Sequence, residues 1–169
     1  MQKEIKILFV GEICGKLGRR VVRSVLPILK NEKKIDFVIG NVENIAHGRG
    51  ITEESIFEMS AAGIDFFTSG EHFWDLRDFV RAVDNFDYKV IRPANYPKDL
   101  PAKGWDYVEL RPGVYIAVMN LLGRTFIKET MTSDPFRMMN HLLDNEIPEK
   151  LSHAETLITF LDFHAEATA

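Results

Sequence analysis

The sequence predicts an α/β protein, and three observations carry that expectation. Short β-rich runs alternate with helical segments through the first half of the chain, joined by brief connections. That alternation implies a parallel sheet covered by helices. The runs stop at glycine or asparagine and release polar groups at once, as in Phe66-Phe67-Thr68-Ser69-Gly70-Glu71-His72. The second half changes rhythm: two longer apolar runs flank Arg111-Pro112-Gly113, a hairpin signal.

The elements follow in order. A strand is expected over 5–10, ending at Gly11-Glu12, with Gly15 and Gly18 bracketing the next loop. A helix is expected from Arg19, where Val21, Val25 and Leu29 recur every four residues with Val22 and Leu26 beside them. Pro27 lies inside it and is expected to kink or shorten it. Phe37-Val38-Ile39 is the second strand and runs into Gly40-Asn41-Val42-Glu43-Asn44. Thr52 is the expected N-cap of the next helix, Glu53 and Glu54 complement its dipole, and Gly63 ends it. The strand at Phe66 follows, then a helix over 76–85, then a brief strand over 89–91 that ends in Arg92-Pro93-Ala94-Asn95. Strands over 105–110 and 114–121 form the hairpin. Asp134 caps and Pro135 opens a helix running to about residue 145. A last strand over 157–163 feeds Asp162-Phe163-His164.

Composition bounds the function. At 169 residues, 46% hydrophobic and 27% charged, the chain has the balance of one globular domain over residues 1–169. Net charge is −4 with no basic block, which argues against nucleic acid as the main partner. Cys14 is the only cysteine, so no internal disulfide forms and a reducing compartment fits. No run approaches the length of a membrane span. The expected location is the cytoplasm.

Chemistry-bearing residues recur where strands end: Glu12, Glu43 with Asn44, Glu71 with His72, Asn95 and His164. In open α/β sheets, ligands bind just outside the carboxyl ends of the strands. Carboxylate, imidazole and amide oxygen are ligands of divalent manganese, iron or zinc. Each residue also has a plainer use. A Glu after a strand serves as a helix cap, His72 serves as a structural partner of Asp75, and Asn95 serves to fix its own turn. His47, His141 and His153 are assigned no role. The repetition of polar groups at successive strand ends favours a common site.

Six motifs carry a resemblance. They are Val10-Gly11-Glu12-Ile13-Cys14-Gly15-Lys16, Asn41-Val42-Glu43-Asn44, Gly70-Glu71-His72-Phe73-Trp74-Asp75 and Arg92-Pro93-Ala94-Asn95-Tyr96-Pro97. The last two are Asn120-Leu121-Leu122-Gly123-Arg124 and Asp162-Phe163-His164-Ala165-Glu166-Ala167-Thr168. In this succession, almost from end to end, the chain resembles the YmdB-type bacterial metallophosphoesterases of the calcineurin-like superfamily. The resemblance implies the N-terminal portion of a metallophosphoesterase β-sandwich with flanking helices, a two-metal centre, and phosphodiesterase activity on cyclic nucleotides.

Position by position, it implies Glu43, Asn44 and His164 as metal ligands and His72 as the catalytic histidine that protonates the leaving group or steadies the phosphate. Asn95 is the expected substrate-binding residue. Glu12 and Glu71 also stand at ligand positions but depart in type, from aspartate and asparagine respectively. Glu12 is one methylene longer, and Glu71 adds charge where phosphate must come. The family continues through a Gly-Thr-His-Thr-His segment with two further metal-binding histidines, which this sequence does not contain. Two functions stay open. One is a divalent-metal phosphodiesterase acting on a small phosphoester; the other is a degenerate relative serving as a binding or assembly module. With part of the ligand set absent, metal is expected to be held weakly or not at all. With part of the sandwich absent, the chain is expected to self-associate or dock on a protein partner.

Overall fold

In the computed structural model, which describes residues 4–128 and 131–167, the expected α/β class is what the chain forms. Residues up to Val90 make one compact unit and those from Ile91 a second.

The first unit contains β1 (Ile7–Val10), α1 (Gly15–Lys33), β2 (Phe37–Asn41), α2 (Glu53–Ala62) and β3 (Phe66–Thr68). A 3₁₀ turn (Glu71–Trp74) and α3 (Arg77–Ala82) follow, and a 3₁₀ turn (Val83–Asn85) continues α3. The strands form a parallel sheet in the order β1-β2-β3, with Ile7 opposite Phe37 and Ile39 opposite Phe66. Parallel neighbours need crossovers, and α1 and α2 supply them. β2 is central and buried at every position, which is why its sequence is apolar without alternation. Gly40 lets this strand pack closely: a Cβ there would lie 3.0 Å from Ile64 Cδ1 and 3.3 Å from Ile13 Cδ1.

α1 begins four residues before Arg19 and passes through Pro27 to Lys33, so the proline does not shorten it. Of the two apolar stripes in its pattern, Val22 and Leu26 are buried, while Val21 and Val25 are exposed with Leu17 and Ile28. Arg19 and Arg23 reach from α1 to Glu58 of α2, at 2.6 Å and 3.1 Å. The α2 cap forms as expected: Ser55 N–H donates to Thr52 Oγ1 at 3.2 Å, and Ser55 Oγ accepts from Thr52 N–H. Gly63 closes the helix with φ 109°, a conformation that glycine adopts without a Cβ penalty.

The strand expected over 89–91 does not form as a strand. Val90 pairs singly with Phe67 in the first unit, and Ile91 singly with Lys103 in the second. Pro93 lacks the N–H that would extend a ladder.

The second unit contains β4 (Trp105–Arg111), β5 (Val114–Leu122) and β6 (Thr156–His164). β4 and β5 are the expected antiparallel hairpin, with Trp105 opposite Met119. Pro112 and Gly113 form its two-residue turn; Gly113 has φ 76°, as the third position of a type II turn requires. β6 runs parallel to β5 along the sheet edge, with Leu122 opposite His164. The parallel crossover is helical: α4 (Pro135–His141), a π turn (Leu142–Glu146) and α5 (Ile147–Lys150). Asp134 caps it, accepting from Phe136 N–H and Arg137 N–H at 2.9 Å and 3.1 Å. The helical path runs to Lys150 rather than stopping near 145. Pro148 has no N–H and its ring crowds the carbonyl four residues back; the widened turn before it relieves both. Leu142, Ile147 and Leu151 of this path join Ala117, Met119 and Leu121 of β5 in the core.

Candidate active site

The loops at the carboxyl ends of β1, β2 and β3 are stitched together by their backbones. Ile13 N–H donates to Asn41 O at 3.0 Å, Gly15 N–H to Asn44 O at 2.9 Å, and Val42 N–H to Thr68 O at 2.9 Å. Asn41 adds a side-chain brace: its Nδ2 donates to Ser69 O at 3.2 Å, and its Oδ1 accepts from Glu43 N–H at 3.2 Å. These bonds fix where the three acidic residues emerge, one from each strand end.

The side chains converge accordingly. Asn44 Nδ2 donates to Glu12 Oε1 at 2.5 Å and to Glu43 Oε1 at 3.2 Å, so one amide links two of the expected ligands. Glu43 is buried, and one of its carboxylate oxygens lies within 4.8 Å of one from Glu71. Two carboxylates at that range disfavour each other's charge unless a proton or a cation lies with them. Oxygen donors of this kind, two carboxylates with an amide alongside, suit a hard divalent cation.

His72 follows Glu71 in the 3₁₀ turn, where side chains three residues apart eclipse one another. That geometry stacks His72 over Asp75, and His72 Nδ1 lies 3.0 Å from Asp75 Oδ2. Arg49 Nε bonds the same carboxylate oxygen. The pairing occupies Nδ1, so any proton exchange by this ring falls to Nε2. The plainer expectation, a structural tie between His72 and Asp75, and the functional one thus share a single geometry.

Asn95 and His164 belong to the second unit, and both lie beside Leu122, the last residue of β5. Asn95 is buried and its amide is spent on backbone. Nδ2 donates to Leu122 O at 2.8 Å and to Ser133 O at 3.0 Å, and Oδ1 accepts from Leu122 N–H at 2.9 Å. His164 ends β6, and its carbonyl accepts from Gly123 N–H at 2.8 Å. Thr168, which closes the last sequence motif, lies outside the described residues.

Sequence reasoning assigned no role to Asn41 or Arg49. Asn41 carried a usable signal, an amide at the last position of a buried strand. Arg49 carried none, because only folding brings its loop to Asp75.

The motifs at these strand ends have counterparts in known proteins. The YmdB-like protein family matches residues 8–169. The chain belongs to this family. It is 38% identical over 165 residues to a Bacillus subtilis protein named 2',3'-cyclic-nucleotide 2'-phosphodiesterase, covering 98% of this chain and 59% of that one. Among solved structures, a hypothetical protein from Thermus thermophilus superimposes with TM-score 0.80 at 32% identity, covering 95% of this chain and 58% of that one. A Mycoplasma pneumoniae phosphatase superimposes with TM-score 0.84 at 28% identity, covering 99% and 57%. This YmdB-like chain therefore spans less than three fifths of the length of these relatives. Among the described residues, no helix is long and apolar enough to cross a membrane.

Proposed function

We propose that this YmdB-like chain takes part in divalent-cation-dependent hydrolysis of a phosphodiester, with a nucleoside 2',3'-cyclic phosphate as the substrate class. The observation that carries the reading is the gathering of Glu12, Glu43, Asn44 and Glu71 at three parallel strand ends, with the His72–Asp75 pair beside them. Family membership and the name of the Bacillus subtilis relative point the same way. Glu12, Glu43, Asn44 and Glu71 would hold the cation in the first unit. His164 is proposed as an imidazole ligand on family resemblance. The cation, when bound, supplies positive charge to a phosphoryl group. Manganese, iron and zinc all accept these donor types.

The chain's own residues do the rest. Asp75 and Arg49 hold the imidazole of His72 in one orientation, and His72 delivers a proton to the departing oxygen. Asn44 keeps the carboxylates of Glu12 and Glu43 apart from free rotation by bonding both. Asn95 acts on substrate through the turn it fixes.

A second reading rests on Glu71. A carboxylate beside Glu43, where the family pattern has an amide, opposes an incoming phosphate and favours a non-catalytic binding or assembly module. Hydrolysis of bis-p-nitrophenyl phosphate with added manganese separates the two. The enzyme reading expects turnover that a chelator abolishes and that His72→Ala lowers about 10²-fold or more. Metal analysis on the same preparation is expected to find weakly held cation, lost on gel filtration with chelator.

Self-association is proposed as well, supported by the exposed apolar stripe of α1 and by β6 at a sheet edge, both features that invite pairing. Sedimentation at micromolar concentration is expected to show a dimer or larger; a monomer at all concentrations would end this part of the reading.

A further inference from the structure

We propose that a cavity in the second unit, separate from the candidate active site, binds a small organic anion that carries a planar ring. The cavity has a volume of about 380 Å³, within the range of small-molecule sites. Its lining includes Lys98, Lys103, Lys150 and Arg92 against the carboxylates of Asp106 and Glu146. That excess of positive charge stands out in a chain of net charge −4.

The cationic groups are not equivalent. Arg92 is buried and directs its guanidinium to carbonyl oxygens: Pro93 at 2.9 Å, Pro97 at 2.9 Å, Leu100 at 3.3 Å and Pro101 at 3.1 Å. It thereby folds the loop that forms one wall. Lys103 pairs with Asp106 at 3.1 Å, and Lys98 pairs with Glu146. Lys150 is exposed at the end of α5 and makes no ion pair among the described residues. Its ammonium is therefore available to an anion without first breaking a contact.

The planar component is recognised by aromatic rings held in place. Trp105 and Tyr107 line the cavity from alternate positions of β4, with ring centroids 6.4 Å apart and planes inclined by 36°. Trp105 Nε1–H donates to Glu146 Oε2 at 2.9 Å, which fixes the indole. Burial alone would raise Glu146, but Lys98, the Trp105 indole N–H and His141 together hold its carboxyl below the usual carboxylate range. Glu146 therefore stays charged and keeps the indole anchored. Rigid rings beside an available ammonium suit a ring-bearing phosphate or carboxylate.

The test uses the whole chain, chelated, with 5'-adenosine monophosphate as probe. The ¹H–¹⁵N signals of the two tryptophan indoles, Trp74 and Trp105, report the location. The cavity reading expects the Trp105 signal to move saturably while Trp74 stays still. Adenosine and inorganic phosphate are each expected to bind about tenfold more weakly or worse, since each lacks one half of the recognised chemistry. Lys150→Ala is expected to weaken the nucleotide about tenfold. His72→Ala is expected to leave it unchanged. No movement at millimolar nucleotide, movement confined to Trp74, an equal response to inorganic phosphate, or indifference to Lys150→Ala would each overturn the proposal.

Discussion

At the residue scale, the proposed chemistry turns on the His72–Asp75 pair. Asp75 accepts at Nδ1 and is itself held by Arg49, so the imidazole has one orientation. His72→Ala is expected to lower phosphodiester turnover by about 10²-fold or more, the usual scale for a positioned acid-base group. Asp75→Asn is expected to lose less, with metal content unchanged, because it removes an orienting bond and no ligand. Activity unaffected by either change would take His72 out of the mechanism. Glu12 and Glu71, the two proposed ligands that depart in type, make a separate expectation. Glu71→Asn removes one of two carboxylates within 4.8 Å of each other, and Glu12→Asp shortens the group bonded by Asn44. Together they are expected to raise turnover and to tighten manganese binding, read by calorimetry and the same assay. Much of this was legible in the sequence, because polar residues directly after β-rich runs must emerge at one edge of a parallel sheet. Glu12, Glu43, Asn44, Glu71 and His72 were found that way. Arg49 was not, since its contact spans 26 positions and no local pattern encodes it. Asn95 was legible as a strand-end amide, but only the fold shows that Leu122 and Ser133 absorb its donors.

At the element scale, α1 shows the limit of periodicity. Two apolar stripes are written into it, and both satisfy a helical repeat; the sheet decides which is covered. Leu26 is 2% exposed and Val21 is 53% exposed. Leu26→Ala is therefore expected to cost about 2–5 kcal/mol in urea unfolding. Val21→Ala is expected to stay within about 0.5 kcal/mol of the parent. Equal costs would mean that the exposed stripe is covered in solution. Termini were easier to read than interiors, because caps are local chemistry: Thr52, Gly63 and the Asp134-Pro135 pair all act as their residue types dictate. The π turn before Pro148 was not legible. A proline mid-helix signals a conflict but not its resolution, and here widening the turn resolves it. The lost strand at 89–91 has a similar cause: its residues have strand propensity, but Pro93 and single partners limit it to isolated pairs.

At the scale of the whole molecule, the expected α/β class emerges as two sheets, one parallel and one mixed, each in its own compact unit. The alternating first half made the parallel sheet legible and the turn residues made the hairpin legible; the parallel pairing of β6 with β5 was not legible, and the division into units left no composition shift to read. In each unit a carboxylate with a lowered pKa gathers its neighbours. Glu58 takes Arg19 and Arg23 across α1 and α2, and Glu146 takes Lys98, Trp105 and His141 across the second unit. Burial would raise both groups, yet the cationic partners prevail and both lie below the ordinary carboxylate value of 4.5. A group depressed in the folded state contributes stability above its unfolded pKa and loses it as pH falls through the folded one. Acid is thus expected to weaken both units from about pH 4.5 downward. Glu58→Gln and Glu146→Gln should each lower the unfolding temperature at pH 7, by an amount matching no more than about 1 kcal/mol per exposed pair. The gap to the parent protein should close as pH approaches 3, where the parent's carboxylates are protonated as well. Thermal unfolding of the three proteins from pH 7 to pH 3 measures it. A gap that persists at low pH would exclude the carboxylate charge as its cause, because both proteins are then neutral at that position.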